Sequence, residues 1–176
     1  MQINKIIISA VLAAVLLAAF PVSCSKNDKD ENINEENTVG NEDNQSFPEM
    51  SELAKKLTDD FDFPDMYVLP EDQIEAEFGV IPSDFSDICA VTTAEYPGIE
   101  RIFLGVIAEE SSKHISDIEE RLNNYLEMLK AEYIDYIPSE YKKSKNAEVY
   151  TDGSFVALVI CDDCKKALDT LQASIE

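Results

Sequence analysis

The chain has 176 residues, enough for one domain with extensions. It carries 36 Asp and Glu against 14 Lys and Arg, a formal net charge of −22, and every one of those acids lies beyond Cys24. So anionic a body repels nucleic acid and anionic headgroups near contact, which excludes both as partners of its surface.

Residues 1–23 read as a signal peptide. Lys5 gives a weakly positive start. Ile6 to Phe20 form an apolar run of 15 residues, short of the roughly 20 that a spanning helix needs. Pro21 breaks any helix, and Val22-Ser23 leads to Cys24, whose thiol can take a diacylglyceryl group. The pattern resembles the lipobox of bacterial lipoproteins, with Pro21 where Leu or a similar aliphatic is usual. An ordinary secretory peptide cut nearby, or an uncut anchor, are the alternatives; all three send the remaining chain out of the cytoplasm. The expectation is a lipoprotein held on the extracytoplasmic face of the cell membrane by palmitate-type chains at Cys24. Two or three such chains, at about 0.8 kcal/mol per buried methylene, hold a protein stably where one does not.

Residues 24–47 are rich in Asn, Asp and Glu and poor in large apolar side chains. They cannot bury enough surface to offset chain entropy, which predicts a disordered acidic tether with a root-mean-square span of roughly 25–30 Å. Asp28, Asp30 and Asn32 are spaced like the start of a calcium loop, but Ile33 stands where glycine is required and the pattern fails.

Residues 48–176 read as one α+β domain. Met50, Leu53, Leu57 and Phe61 recur at helical spacing in a first helix over 48–61, with Ser46 or Ser51 as its cap. "FDFPDMYVLP" breaks the pattern. Residues 70–78 make a second helix, with Pro at its start and Gly79 at its stop. Two strands follow, over 86–95 and 101–108, joined through Pro97-Gly98. The second, "RIFLGVIA", is apolar on both faces and needs cover on both or a central place. Ser111 or Ser112 caps a long third helix whose stripe is Ile115, Ile118, Leu122, Leu126, Leu129 and Tyr133. "YIPSEYKKSKN" ends it and holds much of the scarce positive charge. Strands over 148–151 and 154–161 turn through Asp152-Gly153, and a last helix over 163–175 turns Ala167, Leu168, Leu171 and Ile175 inward. The predicted order is ααββαββα: a mostly antiparallel sheet of about four strands with helices on one face.

Several stretches carry a family resemblance. They are Phe78-Gly79-Val80, Tyr136-Ile137-Pro138-Ser139-Glu140, and Asn146-Ala147-Glu148-Val149 ahead of Gly153 and "FVALVICDD". From about Ser51 to Ile175 the chain resembles domain-of-unknown-function family 4358, small lipoproteins of Gram-positive bacteria. The resemblance implies surface attachment and supplies no catalytic residues.

Cys161-Asp-Asp-Cys164 is the most suggestive motif. At the end of a strand and the start of a helix it can be a redox pair, since a helix N-terminus lowers a thiol pKa, although Asp162 and Asp163 oppose that. A local disulfide and two unpaired thiols are the other readings. A zinc site needs four ligands, and only Cys161, Cys164, Cys89 and the lone His114 are on offer, Cys89 inside an apolar strand. His114 reads as a solvated first-turn residue. Asp59-Asp60, Glu109-Glu110 and Asp162-Asp163 read as helix-end acids and not as a glycosidase pair. There is no Gly-rich phosphate loop, GxSxG or HExxH. The expectation is a non-enzymatic binding or structural module of the cell envelope, with no catalytic residue, metal or cofactor. Its partner would be an envelope protein, a wall polymer or a small ligand. An extracytoplasmic thiol-redox protein or envelope enzyme is the alternative.

Overall fold

The computed structural model describes residues 47–176; the leader, Cys24 and the tether up to residue 46 lie outside the described residues. In chain order the elements are α1 (Met50–Asp60), β1 (Met66–Val68), α2 (Glu71–Phe78), β2 (Phe85–Thr93), β3 (Arg101–Ile107), α3 (Ile115–Tyr133), α4 (Pro138–Asn146), β4 (Val149–Asp152), β5 (Phe155–Ile160) and α5 (Cys164–Ile175). Short 3₁₀ turns over Pro82–Asp84 and Glu109–His114 precede β2 and α3. The strands form one antiparallel sheet in the order β1-β2-β3-β5-β4. This is the expected α+β class, with β1 and α4 added to the expected order.

The strongest local signals are obeyed. Gly79 takes φ +70° just past α2, where a side chain would be strained, and its N–H closes the helix on the Glu75 carbonyl at 2.9 Å. Gly153 takes φ +56° in the β4–β5 turn. Ile118, Leu122, Leu126 and Leu129 of α3 are buried as the stripe requires, and Tyr125 joins them.

The caps differ from expectation. Ser51 does not cap α1; the Met50 N–H instead donates to Asp87 Oδ2 on β2 at 2.9 Å, a carboxylate at the positive end of the helix supplied by tertiary contact. Ser111 does not cap α3 either. It is buried in the 3₁₀ turn, and its hydroxyl donates to Asp84 Oδ1 at 3.0 Å.

The faces of the sheet follow from its register, because paired residues share a face and successive residues alternate. Leu104 and Ile102 share one face with Cys89 and Val91 of β2 and with Ala157 and Val159 of β5. On that face lies α1, α5 runs beside it, and Phe47 stacks on Phe155 with ring centroids 5.6 Å apart. Phe47, which closes the predicted tether, thus packs onto the domain. Phe103 points to the other face. There it meets Phe78 of α2 at 5.1 Å between centroids, and Phe78 meets Tyr125 of α3 at 4.8 Å. Helices on one face alone is therefore corrected to helices on both. The cause is visible in β5, all six of whose residues are buried: neither side of such a strand can be left in water. At Gly105 the Phe85 ring lies across the backbone, and a Cβ there would come within 2.6 Å of it.

Candidate functional site

The two cysteines of the CxxC motif lie where β5 hands over to α5, and both are buried. The Cys161 N–H donates to Cys164 Sγ at 3.2 Å; that sulfur also lies 2.7 Å from the Cys161 carbonyl oxygen and 3.5 Å from that of Lys143. All three described cysteines are free thiols in this structure. A hydrogen bond from the Cys161 thiol, with the backbone N–H groups of Cys161 and Cys164, lowers the Cys164 thiol to about 7 against the pull of burial and Asp162. The same thiol–thiol bond, followed by burial, drives Cys161 upward. Asp162 and Asp163 are exposed, and with Lys165, Lys166 and Asp169 they rim a depression of about 490 Å³ that Cys164 reaches.

The other sequence candidates do not converge with this pair. Cys89 sits on β2, with β3 between it and β5, and burial, then Asp87, pushes its thiol up to about 11. His114 ends the 3₁₀ turn before α3, with Nδ1 at 3.4 Å from Asp84 Oδ1. Ser111 donates to that same oxygen. The carboxylate is the hub: the hydroxyl donates to Asp84 and not to the imidazole, so the three do not form a Ser–His–Asp relay. Asp59 pairs with Lys55 on the surface of α1; Asp60, Glu109 and Glu110 are exposed helix-end acids. Among the described residues no three His, Cys, Asp or Glu are grouped to hold a metal ion.

A family model described as "Domain of unknown function (DUF4358)" matches residues 59–161. The chain belongs to this family. No curated protein and no solved structure matches it. The matched segment of the DUF4358 domain runs from the end of α1 through β5 and stops at Cys161, short of Cys164 and α5 and of the Ser51–Ile175 span of the resemblance.

Inside the match lies a cluster that sequence reasoning missed. Glu100, immediately before β3, and Glu140, in the first turn of α4, are both buried, and Lys143 lies between them. Lys143 Nζ pairs with Glu100 and lies 3.1 Å from both oxygens of Glu140. Glu140 Oε2 also accepts the Ile99 N–H at 3.2 Å. Burial alone would push Lys143 down; its hydrogen bonds to the two carboxylates outweigh this and raise it above the ordinary lysine value. Glu100 Oε2 is buried with no hydrogen-bond partner among the described residues, against Gly98, where a Cβ would come within 2.7 Å of it. The only sequence signal was the three-residue spacing of Glu140 and Lys143. Glu100 enters through the fold.

The second missed feature is a groove of about 430 Å³ between α1 and the β1–β2 end of the sheet. Ala54 and Thr58 of α1 form one wall, and Met66, Val68, Cys89 and Val91 form the floor. It is open to solvent along β1, where Val68 is 64% exposed. Its lining is chiefly apolar.

Proposed function

We propose that this DUF4358 chain is a lipid-anchored protein of the cell envelope, held through acylated Cys24 on the extracytoplasmic face, whose domain binds a partner and does no covalent chemistry. The open groove is the observation that carries the binding reading: it is concave and apolar, as surfaces that receive a partner are. Most polar groups that the fold buries or half-buries, Glu100 Oε2 apart, support the same reading, because they are engaged with one another. Glu77 Oε1 accepts from Arg101 Nε at 3.1 Å and from the Tyr125 hydroxyl at 2.8 Å, Asp84 accepts from Ser111, and Glu140 holds Lys143 and the Ile99 N–H. The leader ending at Cys24 supports the anchoring.

Cys24→Ala is expected to abolish lipid labelling and either release the protein from the membrane fraction or leave a precursor that keeps its leader. Metabolic labelling with an alkynyl fatty acid, followed by fractionation, reads both; undiminished labelling of the variant sinks the anchor.

A second reading, thiol-redox function, is favoured by one observation, the lowered Cys164 thiol beside Cys161. On that reading, alkylation of Cys164 in the full chain rises with a midpoint near pH 7, because the thiolate is the reactive form. Cys161 then stays unmodified over the same range. Mass spectrometry after timed iodoacetamide treatment checks this, and a Cys164 that reacts only above pH 9 removes the redox reading.

A further inference from the structure

We propose that the free edge of β1 and the groove beside it receive an extended segment of a partner protein, added as a further strand, with apolar side chains at alternate positions and basic residues at its flanks. The proposal rests on the binding reading above and names the class of partner.

Three observations carry it. The first is the ladder. The Leu69 N–H donates to the Ala90 carbonyl and the Ala94 N–H to the Asp65 carbonyl, each at 2.8 Å. In the register Met66↔Thr93, Tyr67↔Thr92 and Val68↔Val91, this turns the backbone groups of Asp65, Tyr67 and Leu69 toward β2. Antiparallel alternation then turns the N–H and C=O of Met66 and Val68 outward. β1 ends the sheet, so among the described residues no strand meets them there.

The second is the groove. Met66 and Val68, whose backbone groups point outward, contribute the side chains of its floor. A strand added beside β1 would set every second side chain on that same face, about 4.8 Å farther out. Backbone pairing and the apolar groove would therefore be read by one extended segment. β1 has three residues and lies between Pro64 and Pro70, so few ladder bonds are available and the side chains in the groove must supply selectivity.

The third is charge. Glu52, Asp59, Asp60, Asp62, Asp65 and Glu71 are exposed on the segments that frame the groove and the edge, and the two lysines there are Lys55, already paired with Asp59, and Lys56. An anionic rim favours basic flanks and turns away acidic ones. It also opposes a second copy of this chain, which would bring the same acids to an edge-to-edge contact.

The test uses the full-length chain in neutral detergent micelles and a blocked peptide of sequence KKVTVTVKK. Hydrogen exchange at the Met66 and Val68 amides is expected to slow at least about tenfold at saturating peptide. N-methylating alternate amides along one edge of the peptide should abolish binding, and doing so along the other edge should leave it intact. Serine in place of valine, or glutamate in place of lysine, should each weaken binding at least about tenfold, and Val68→Pro, which removes one outward N–H, should weaken it similarly. The two N-methylated peptides need no variant to fold. Overturning results are no binding, equal binding of both N-methylated peptides, equal binding of the serine peptide, protection confined to other segments, or concentration-dependent protection of the same amides without peptide. Binding is read in detergent whatever the state of Cys24, so failure here leaves the anchor standing, and loss of the anchor leaves this proposal standing.

Discussion

Lys143→Met is expected to lower the free energy of unfolding by about 3–5 kcal/mol, because it removes the one cation from a buried pair of carboxylates. The Lys143 side chain is 11% exposed and those of Glu100 and Glu140 are 8% and 10% exposed, so water does little to screen what is left. Glu100 already has one oxygen without a partner. Losing Lys143 leaves its other oxygen in the same state and sets two like charges against each other. The same loss loosens α4, which is held through Glu140 to the Ile99 N–H and through Lys143 to the start of β3. Adding Glu100→Gln and Glu140→Gln to Lys143→Met should recover much of the loss, since it is the uncompensated charge that is costly. The pH dependence has a definite sign. The folded state raises Lys143 above its ordinary value. Its stabilisation is therefore complete below the unfolded lysine value of about 10.4 and is lost as pH rises through the folded value. Wild type and Lys143→Met should converge in strong alkali. Urea unfolding at neutral and alkaline pH measures all of this, and a deficit below about 1 kcal/mol at neutral pH would mean that the cluster behaves as a solvated surface pair.

Phe103→Ala should cost a comparable amount, about 3–5 kcal/mol, by a different route. Phe103 is fully buried at the centre of an aromatic group, with Phe78 at 5.1 Å and Phe85 at 5.8 Å between ring centroids. Through Phe78 it is the contact that seats α2, and Tyr125 behind it, on that face of the sheet. Truncation leaves a cavity that fixed strands cannot close, whereas Phe103→Leu fills most of the space and should cost far less. No pH dependence should accompany either change. That separates them from the Lys143 variants in the same unfolding experiment. A loss under about 1 kcal/mol for Phe103→Ala would show that this face repacks freely.

The elements legible in the sequence are those whose cause is local. The α3 stripe is set by the spacing of Ile118, Leu122, Leu126 and Leu129. β3 and β5 follow from runs apolar on both faces, and the turns at Gly79 and Gly153 follow from a backbone that only glycine adopts easily. The two missed elements lack such causes. β1 is three residues between prolines, without a period to read, and exists because β2 offers it an edge. α4 has no apolar stripe; its buried residues are Glu140 and Ser144. Its interior face is polar because its partners, Glu100 and the Ile99 N–H, are polar, and they lie about 40 positions away in sequence.

Among the candidate sites, the sequence placed Cys161 and Cys164 correctly at the strand-to-helix junction. It could not place their sulfur contacts, nor anticipate that His114 and Ser111 share one oxygen of Asp84. The groove and the free edge were out of its reach for the same reason. Periodicity reports which face of an element is apolar, but a groove is the space left between two elements after they pack.

By itself, then, the sequence determined the acidic charge, the family, the α+β class and the positions of the long helix and the central strands. Each of these depends on composition or on residues within a few positions of one another. Only the tertiary structure decided that helices cover both faces, that Asp87 caps α1 from another element, that Lys143 bridges two buried carboxylates, and that Met66 and Val68 present an edge unpaired among the described residues beside an apolar groove. These depend on contacts between distant segments, whose energies exist only once chain closure has brought the partners together.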